Sequence, residues 1–405
     1  MTTRSTEPGV DGAEQRPLLR LNPGQDRRLR SGHPWAYSNE IRMRPEYRQL
    51  PAGGLVRVEG DDGWRFGTWM FNPNSLIAAR LLDRDPGAAI DGAWIAERIA
   101  SAAALRARVT DTPFHRLIHA EADGLPGLVV DRYDDVAVLQ ANSAGMDRLT
   151  PVIAAALVGS LKLRAVVARN DAPVRALEGL PETVGLLHGA DAAARVEEGG
   201  VVFPVDPLAG QKTGWFFDQR PNRDRVASLA PGARVLDVFC HVGAFGLRCA
   251  AAGAAEVLLV DSSEPALARA RHAAAANRLL QVATRRGDAF ETMEALGASG
   301  ERFDIVVCDP PAFAKSRKDQ AAGLRAYQRM TRVAAPLVAR GGLLFVASCS
   351  HHAPLAEFAA AVAAGLHRLR RDGRILVTAG AGADHPVHPN LPESAYLKTQ
   401  LIQLD

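Results

Sequence analysis

Residues Arg234–Asp261 read RVLDVFCHVGAFGLRCAAAGAAEVLLVD, and this stretch decides the fold. Arg234–Phe239 is short, apolar and β-branched, as suits a strand buried on both faces. Cys240–Gly246 reads as a turn, and Leu247–Ala252 as an Ala-rich helix ended by Gly253. Glu256–Val260 is a second buried strand with Asp261 at its tip. Such strand–helix–strand units take ligands beyond the carboxyl ends of their strands. Downstream the alternation continues. Further strands are expected to start at Gln281, Phe303, Gly342 and Arg374. Helices are expected over Glu264–Asn277, Lys318–Ala339 and Pro354–Arg371. That pattern predicts a doubly wound parallel α/β sheet. Tyr396–Leu404 alternates and is expected as a closing strand, antiparallel to the others.

Upstream, the chain of 405 residues is too long for one ordinary domain. Residues 1–17 are polar, with Pro and Gly, and are expected to be a disordered tail. Residues 18–88 form a small β-rich unit, with strands around Leu55–Glu59, Trp64–Met70 and Leu76–Leu82. It opens with Arg28, Arg30, His33 and Trp35, a mixture of cations and rings that suits phosphate contact and base stacking. Residues 89–203 read as a small α+β unit. Helices are expected at Asp91–Arg108 and Leu149–Leu161, and strands at Ile118–Asp123, Gly127–Arg132, Val136–Ala141 and Ala165–Asn170; residues 176–198 read as turn-rich. Residues 204–405 carry the parallel sheet. The net charge of +3 permits a polyanionic partner without requiring one. Cys240, Cys249, Cys308 and Cys349 form no CxxC pair, so neither a zinc site nor a disulfide framework is suggested, and a reducing cytoplasm fits. No apolar run reaches membrane-spanning length.

The ligand follows from the acids. The dinucleotide fingerprint G-x-G-x-x-G is absent; only Gly243 and Gly246 lie in the turn. Asp237, near the end of the first strand, would repel a pyrophosphate and welcome a cationic ligand without phosphate. S-adenosylmethionine is such a ligand. Asp261 would accept its ribose hydroxyls, with Ser262 beside it. Asp288 and Ala289, after the third strand, would meet the adenine; the plainer role for Asp288 is a helix N-cap. Phe239 in the turn and the pair Asp218 and Arg220, ahead of the unit, complete the expected cofactor set.

Two further stretches carry chemistry. Asp309-Pro310-Pro311 ends the fourth strand in a rigid turn that would hold Asp309 toward both cofactor and a planar substrate. Amino-group methylators usually place an aromatic directly after the prolines; here Ala312 intervenes before Phe313. Cys349, between Ser348 and Ser350, ends the fifth strand at the same edge. A thiolate there could add to C6 of cytosine and make C5 nucleophilic toward a methyl donor. Its activation needs a neighbour, and His351, His352 and Asp309 are the candidates. The plainer reading is a small buried strand residue. Arg317 and Lys318, after the prolines, could hold RNA phosphates.

With these residues the match becomes specific. Gly32-His33-Pro34-Trp35, Lys212-Thr213-Gly214, Asp218-Gln219-Arg220, Arg223, Asp237-Val238-Phe239-Cys240, Asp309-Pro310-Pro311-Ala312-Phe313, Ser348-Cys349-Ser350 and Tyr396-Leu397-Lys398 resemble one family. It is that of the bacterial class I AdoMet-dependent 23S rRNA (cytosine-C5) methyltransferases. The resemblance spans the chain from about Leu18. It implies an N-terminal PUA domain, a central EEHEE-type domain and a Rossmann-like methyltransferase domain. It further implies 23S rRNA or a large-subunit precursor as partner, and Cys349 as nucleophile. A homodimer is the assembly expected. Many RNA cytosine-C5 enzymes carry a second cysteine where this chain has Ala312, and His241-Val242 stand where an aromatic and Thr are usual. The competing readings are a guanine (N7 or N2) rRNA methyltransferase, which needs no Cys349, and a non-catalytic RNA-binding assembly factor.

Overall fold

The computed structural model describes residues 16–210 and 213–405. Most of the expected tail, and Lys212, lie outside the described residues. Arg16 is buried and donates to Thr68 Oγ1 at 3.0 Å, so this position, expected in the tail, belongs to the fold. Two compact units are formed. Among the described residues, one holds 16–194 together with 205–210, 213–215 and 383–392; the other holds 195–204, 216–382 and 393–405. The chain thus changes unit repeatedly rather than once at 203.

The first unit contains two five-stranded sheets. One runs Leu18–Arg20, Gly54–Glu59, Arg65–Phe71, Ala79–Asp83, Trp35–Ala36 in spatial order. It closes over Leu19, Val56, Val58, Trp69 and Phe71. The other runs Thr183–His188, Ala165–Asn170, Val136–Ala141, Leu128–Tyr133, Phe114–His119. Helices Gly92–Val109, capped by Asp91, and Ala144–Leu161 share its core. The edge strand Thr183–His188 lies in the segment read as turn-rich. Its residues are mostly exposed, so the sequence there lacks a strand's apolar face.

The second unit is built on a seven-stranded sheet: β1 Arg234–Val238, β2 Glu256–Asp261, β3 Val282–Arg286, β4 Phe303–Cys308, β5 Val338–Ser348, β6 Gly373–Ala379 and β7 Lys398–Leu404. The spatial order is β3-β2-β1-β4-β5-β7-β6. β1 to β5 pair in parallel, while β7 is antiparallel to β5 and β6. Helices α1 Arg220–Ser228, α2 Ala244–Ala251, α3 Glu264–Ala276, α4 Ala289–Ala298, α5 Gln320–Ala334 and α6 Leu355–His367 connect and cover it. Val235, Leu236 and Val238 are fully buried, each contributing about 1.5–3 kcal/mol of apolar burial. The strand order reverses between β1 and β4, which puts the ligand crevice beyond their carboxyl ends. Among the described residues no helix is long and apolar enough to cross a membrane.

Candidate active site

Three acids stand at successive carboxyl ends. After β1 the chain turns at once, with Phe239, His241 and Gly243 at φ 61°, 51° and 76°. Two of the three are not glycine, so the turn stores strain at the crevice. Gly246 is required for a different reason: an added Cβ would lie 2.3 Å from Leu259 Cδ2, and α2 could not pack on β2. Asp237 accepts the Gly246 N–H at 2.9 Å and is 1 % exposed. Burial, reinforced by the charges of Asp309 and Asp261, pushes its carboxyl up to about 8. Asp237 is therefore a sealed group joining β1 to α2, rather than an open anion. Asp261 is half-buried and spans two loops. Its Oδ2 accepts from His241 N and its Oδ1 from Ser263 N, both at 2.8 Å. Ser262 beside it is exposed. Asp288 is exposed and caps α4 through Oδ1, which accepts from Phe290 N and Glu291 N at 2.9 and 3.1 Å. The plainer reading of that residue is thus realised, by one of its two oxygens. Ala289 is buried in the sheet's core.

Asp218 and Arg220 flank the start of α1. Asp218 is buried; Tyr396 Oη donates to its Oδ2, and Gly382 N to its carbonyl at 3.1 Å. Arg220 lies 3.7 Å from Glu198 and over the Phe217 ring at 5.4 Å. Glu198 takes Arg223 in a bidentate pair at 2.6 and 2.7 Å and Arg248 at 3.0 Å. Against burial, these guanidiniums hold its carboxyl down at about 2. Between Asp218 and Arg220, Gln219 donates to Asp309 Oδ2 at 3.0 Å and accepts from Asn222 at 2.8 Å. The start of α1 is thereby tied to the loop after β4.

That loop meets the end of β5. Ser348 and Ser350 are fully buried, whereas Cys349 between them is only partly buried, as alternation along an extended chain requires. Cys349 Sγ lies 4.0 Å from the Pro310 carbonyl oxygen. The Tyr327 hydroxyl of α5 sits between the serines, 2.8 Å from Ser348 Oγ and 2.8 Å from Ser350 Oγ. Ser350 Oγ also accepts from Ala314 N at 3.1 Å. One network therefore fixes both the loop after the prolines and the segment bearing the sulfur. Phe239, Phe290 and Phe313 form a ring cluster with centroids 6.1–6.3 Å apart, linking the first turn, α4 and this loop. His351 packs against Tyr396 at 5.5 Å.

Residues 128–373 match the family model described as S-adenosylmethionine-dependent methyltransferase. The chain belongs to that family. Residues 19–84 match a PUA-like domain. Over 391 residues the chain is 37 % identical to the ribosomal RNA large subunit methyltransferase I of Shewanella frigidimarina, covering 94 % of this chain and 97 % of that protein. Its counterpart from Shewanella amazonensis is 36 % identical over 388 residues, with the same coverage. Among solved structures, SMU.776, described as a methyltransferase complexed with SAH, superposes with a TM-score of 0.81 at 19 % identity, covering 96 % of this chain and all of that one. An S-adenosylmethionine-dependent methyltransferase from Streptococcus mutans gives 0.79 at 20 % identity, with the same coverage. These last two likenesses establish the fold.

The residues of the PUA-like domain expected at RNA are engaged internally. Arg28 forms a bidentate pair with Glu40 at 3.0 and 2.8 Å and lies 4.4 Å over the Tyr37 ring. Its guanidinium is also 3.2 Å from His33 Nε2. Trp35 Nε1 donates to Glu121 at 2.8 Å. Arg30, exposed, pairs with Asp26 and Asp62, both at 2.6 Å. Exposed ion pairs of this kind exchange readily, so Arg30 is the most available of the four. In the methyltransferase domain Arg317 and Lys318 are exposed, one turn ahead of α5. The sequence assigns no role to Tyr327 or Phe290, nor to Gln219 and Lys398, although the last two lie in stretches that carry the resemblance. Lys398 is 8 % exposed and donates to the Ser350 carbonyl at 2.6 Å.

Proposed function

We propose that this chain methylates C5 of a cytosine in large-subunit rRNA, with Cys349 as nucleophile. The observation that carries the reading is the placement of the sulfur. Cys240, Cys249 and Cys308 are buried, and burial pushes all three thiols up. Cys349 alone is partly open, beside the Asp309-Pro310-Pro311 turn. The large-subunit substrate rests on the names of the two Shewanella relatives, and a PUA-like domain suits an RNA partner.

The crevice fits S-adenosylmethionine by the chemistry of its groups. Acids rather than phosphate-binding loops stand at the ends of β1 and β2 and after β3, and a ring cluster lies beside them. Asp261 would hold the ribose, with Ser262 alongside, and the free oxygen of Asp288 would hold the adenine edge. Phe239 and Gly243 shape the turn against it, and Ala289 backs it. Asp218, Arg220 and Asp309 border it, and Asp237 supports the turn from within. When bound, S-adenosylmethionine supplies an electrophilic methyl group. The protein supplies the rest. The Cys349 thiolate adds to C6, the C5–C6 electron pair becomes nucleophilic at C5, and after methylation loss of the C5 proton expels the sulfur. The Pro310-Pro311 turn gives the base a rigid wall, and the Tyr327 network keeps the sulfur from swinging away. Arg30, Arg317 and Lys318 are proposed as phosphate contacts, with the Arg28, His33 and Trp35 cluster shaping the surface around Arg30. Bisulfite or mass-spectrometric mapping of 23S rRNA from cells lacking this protein tests the reading. Loss of one 5-methylcytosine is expected; an unchanged cytosine pattern with loss of a methylguanine would overturn it.

A further inference from the structure

We propose that Lys398 is a positioning residue for the nucleophile: its ammonium, anchored on the Ser350 carbonyl, holds the Cys349 sulfur as a thiolate. The inference rests on the reading of Cys349 given above. Lys398 opens β7 and is paired directly with Ser348 of β5. The antiparallel return of the last strand therefore delivers a cation to the end of β5. The residue is 8 % exposed, and among the described residues its ammonium has one hydrogen bond, the 2.6 Å contact to the Ser350 carbonyl. An ammonium carries three donors, and a buried one with a single carbonyl partner is poorly compensated. Burial pushes the Lys398 ammonium down, and the charge of Cys349 is the one that pushes it back up. The same attraction, taken from the sulfur's side, favours the thiolate. Among the described residues, other titratable groups stand near this end of the sheet. Tyr327 of α5 is a phenol locked between serines, and Asp309 after β4 is an acid engaged by Gln219. His351 follows two residues on and packs on Tyr396. The thiol proton leaves to solvent before RNA binds, and Lys398 remains an ammonium throughout.

Iodoacetamide tests this in the full-length protein, because Cys349 is the only cysteine not buried. The thiolate forms the new S–C bond and iodide departs, so the rate against pH reads the thiolate fraction directly. The wild-type midpoint should fall below the free-cysteine value of about 8.5. Lys398→Met removes both charge and hydrogen bond; Lys398→Gln removes the charge and keeps a donor for Ser350. Both should raise the midpoint by about one unit or more and slow alkylation at pH 7 about tenfold, with S-adenosylmethionine binding retained as the check on folding. A wild-type midpoint at or above that of free cysteine would overturn the proposal. So would a wild-type profile in Lys398→Gln, which would leave Lys398 as a brace only. Unchanged rRNA methylation in Cys349→Ser would instead overturn the cytosine reading, and the alkylation profiles would still decide the role of Lys398.

Discussion

Glu198→Gln should destabilise the second unit by about 3 kcal/mol at neutral pH, and the loss should vanish in acid. Glu198 is the shared carboxylate of Arg223 and Arg248, both nearly buried, with Arg220 3.7 Å away. Its folded value of about 2 lies below the ordinary glutamate value of 4.5. Because the folded value is depressed, the stabilisation is present above about pH 4.5 and lost as pH falls toward 2. The gap corresponds to about 3 kcal/mol, and roughly 2 kcal/mol of it is gone by pH 3. Removing one partner of a buried pair independently suggests about 3–5 kcal/mol. Urea unfolding followed by far-UV ellipticity measures it. All five tryptophans lie in the first unit and all four cysteines in the second. Pulsed alkylation of Cys249 and Cys308 at pH 7.5 therefore assigns the transition. A destabilisation under about 1 kcal/mol, or one that persists unchanged from pH 7 to pH 3, would refute the reasoning. S-adenosylmethionine affinity should fall in parallel, since the triad sets the position of α1.

Asp261→Ala should weaken S-adenosylmethionine binding about tenfold or more, about 1.4 kcal/mol, by calorimetric titration; an unaltered affinity would remove the ribose assignment. Tyr327→Phe deletes the hydroxyl between Ser348 and Ser350. It should cost about 1 kcal/mol or more of stability and lower kcat while leaving cofactor affinity near wild type. A variant with wild-type kcat would show that the network does not aim the sulfur.

Much of the second unit was legible because parallel strands buried on both faces spell themselves as apolar runs. β1, β2 and β4 begin where the sequence places them. β3 and β6 begin one residue from their expected starts, at Val282 and Gly373, and β5 departs furthest. β5 begins at Val338 rather than Gly342, because Gly341-Gly342, which reads as a strand's beginning, is an irregularity within it where the register to β4 shifts. The helix after the first turn likewise starts at Ala244 rather than Leu247, since Gly243 caps it from a positive φ that sequence alone does not reveal. The acids and the Cys349 edge were legible as strand termini. Their partners were not: Lys398 reaches Ser350 across 48 positions and Glu198 reaches Arg248 across 50, through pairings no local pattern encodes. The Arg28–Trp35 segment misleads in the opposite direction. Its alternating cations and rings describe an RNA surface and an internal cation–π and ion-pair cluster equally well, and Glu40 and Glu121 supply the internal partners.

The central claim, a sulfur that attacks a pyrimidine, is tested most directly by trapping. RNA carrying 5-fluorocytidine cannot lose a proton from C5, so a covalent complex that forms cannot resolve. With wild-type protein and S-adenosylmethionine, a denaturation-resistant complex should form on large-subunit rRNA. Its cross-linked peptide should contain Cys349, and Cys349→Ser should give none. Full methylation of unmodified RNA by Cys349→Ser, or a complex mapping to any other residue, would contradict the account.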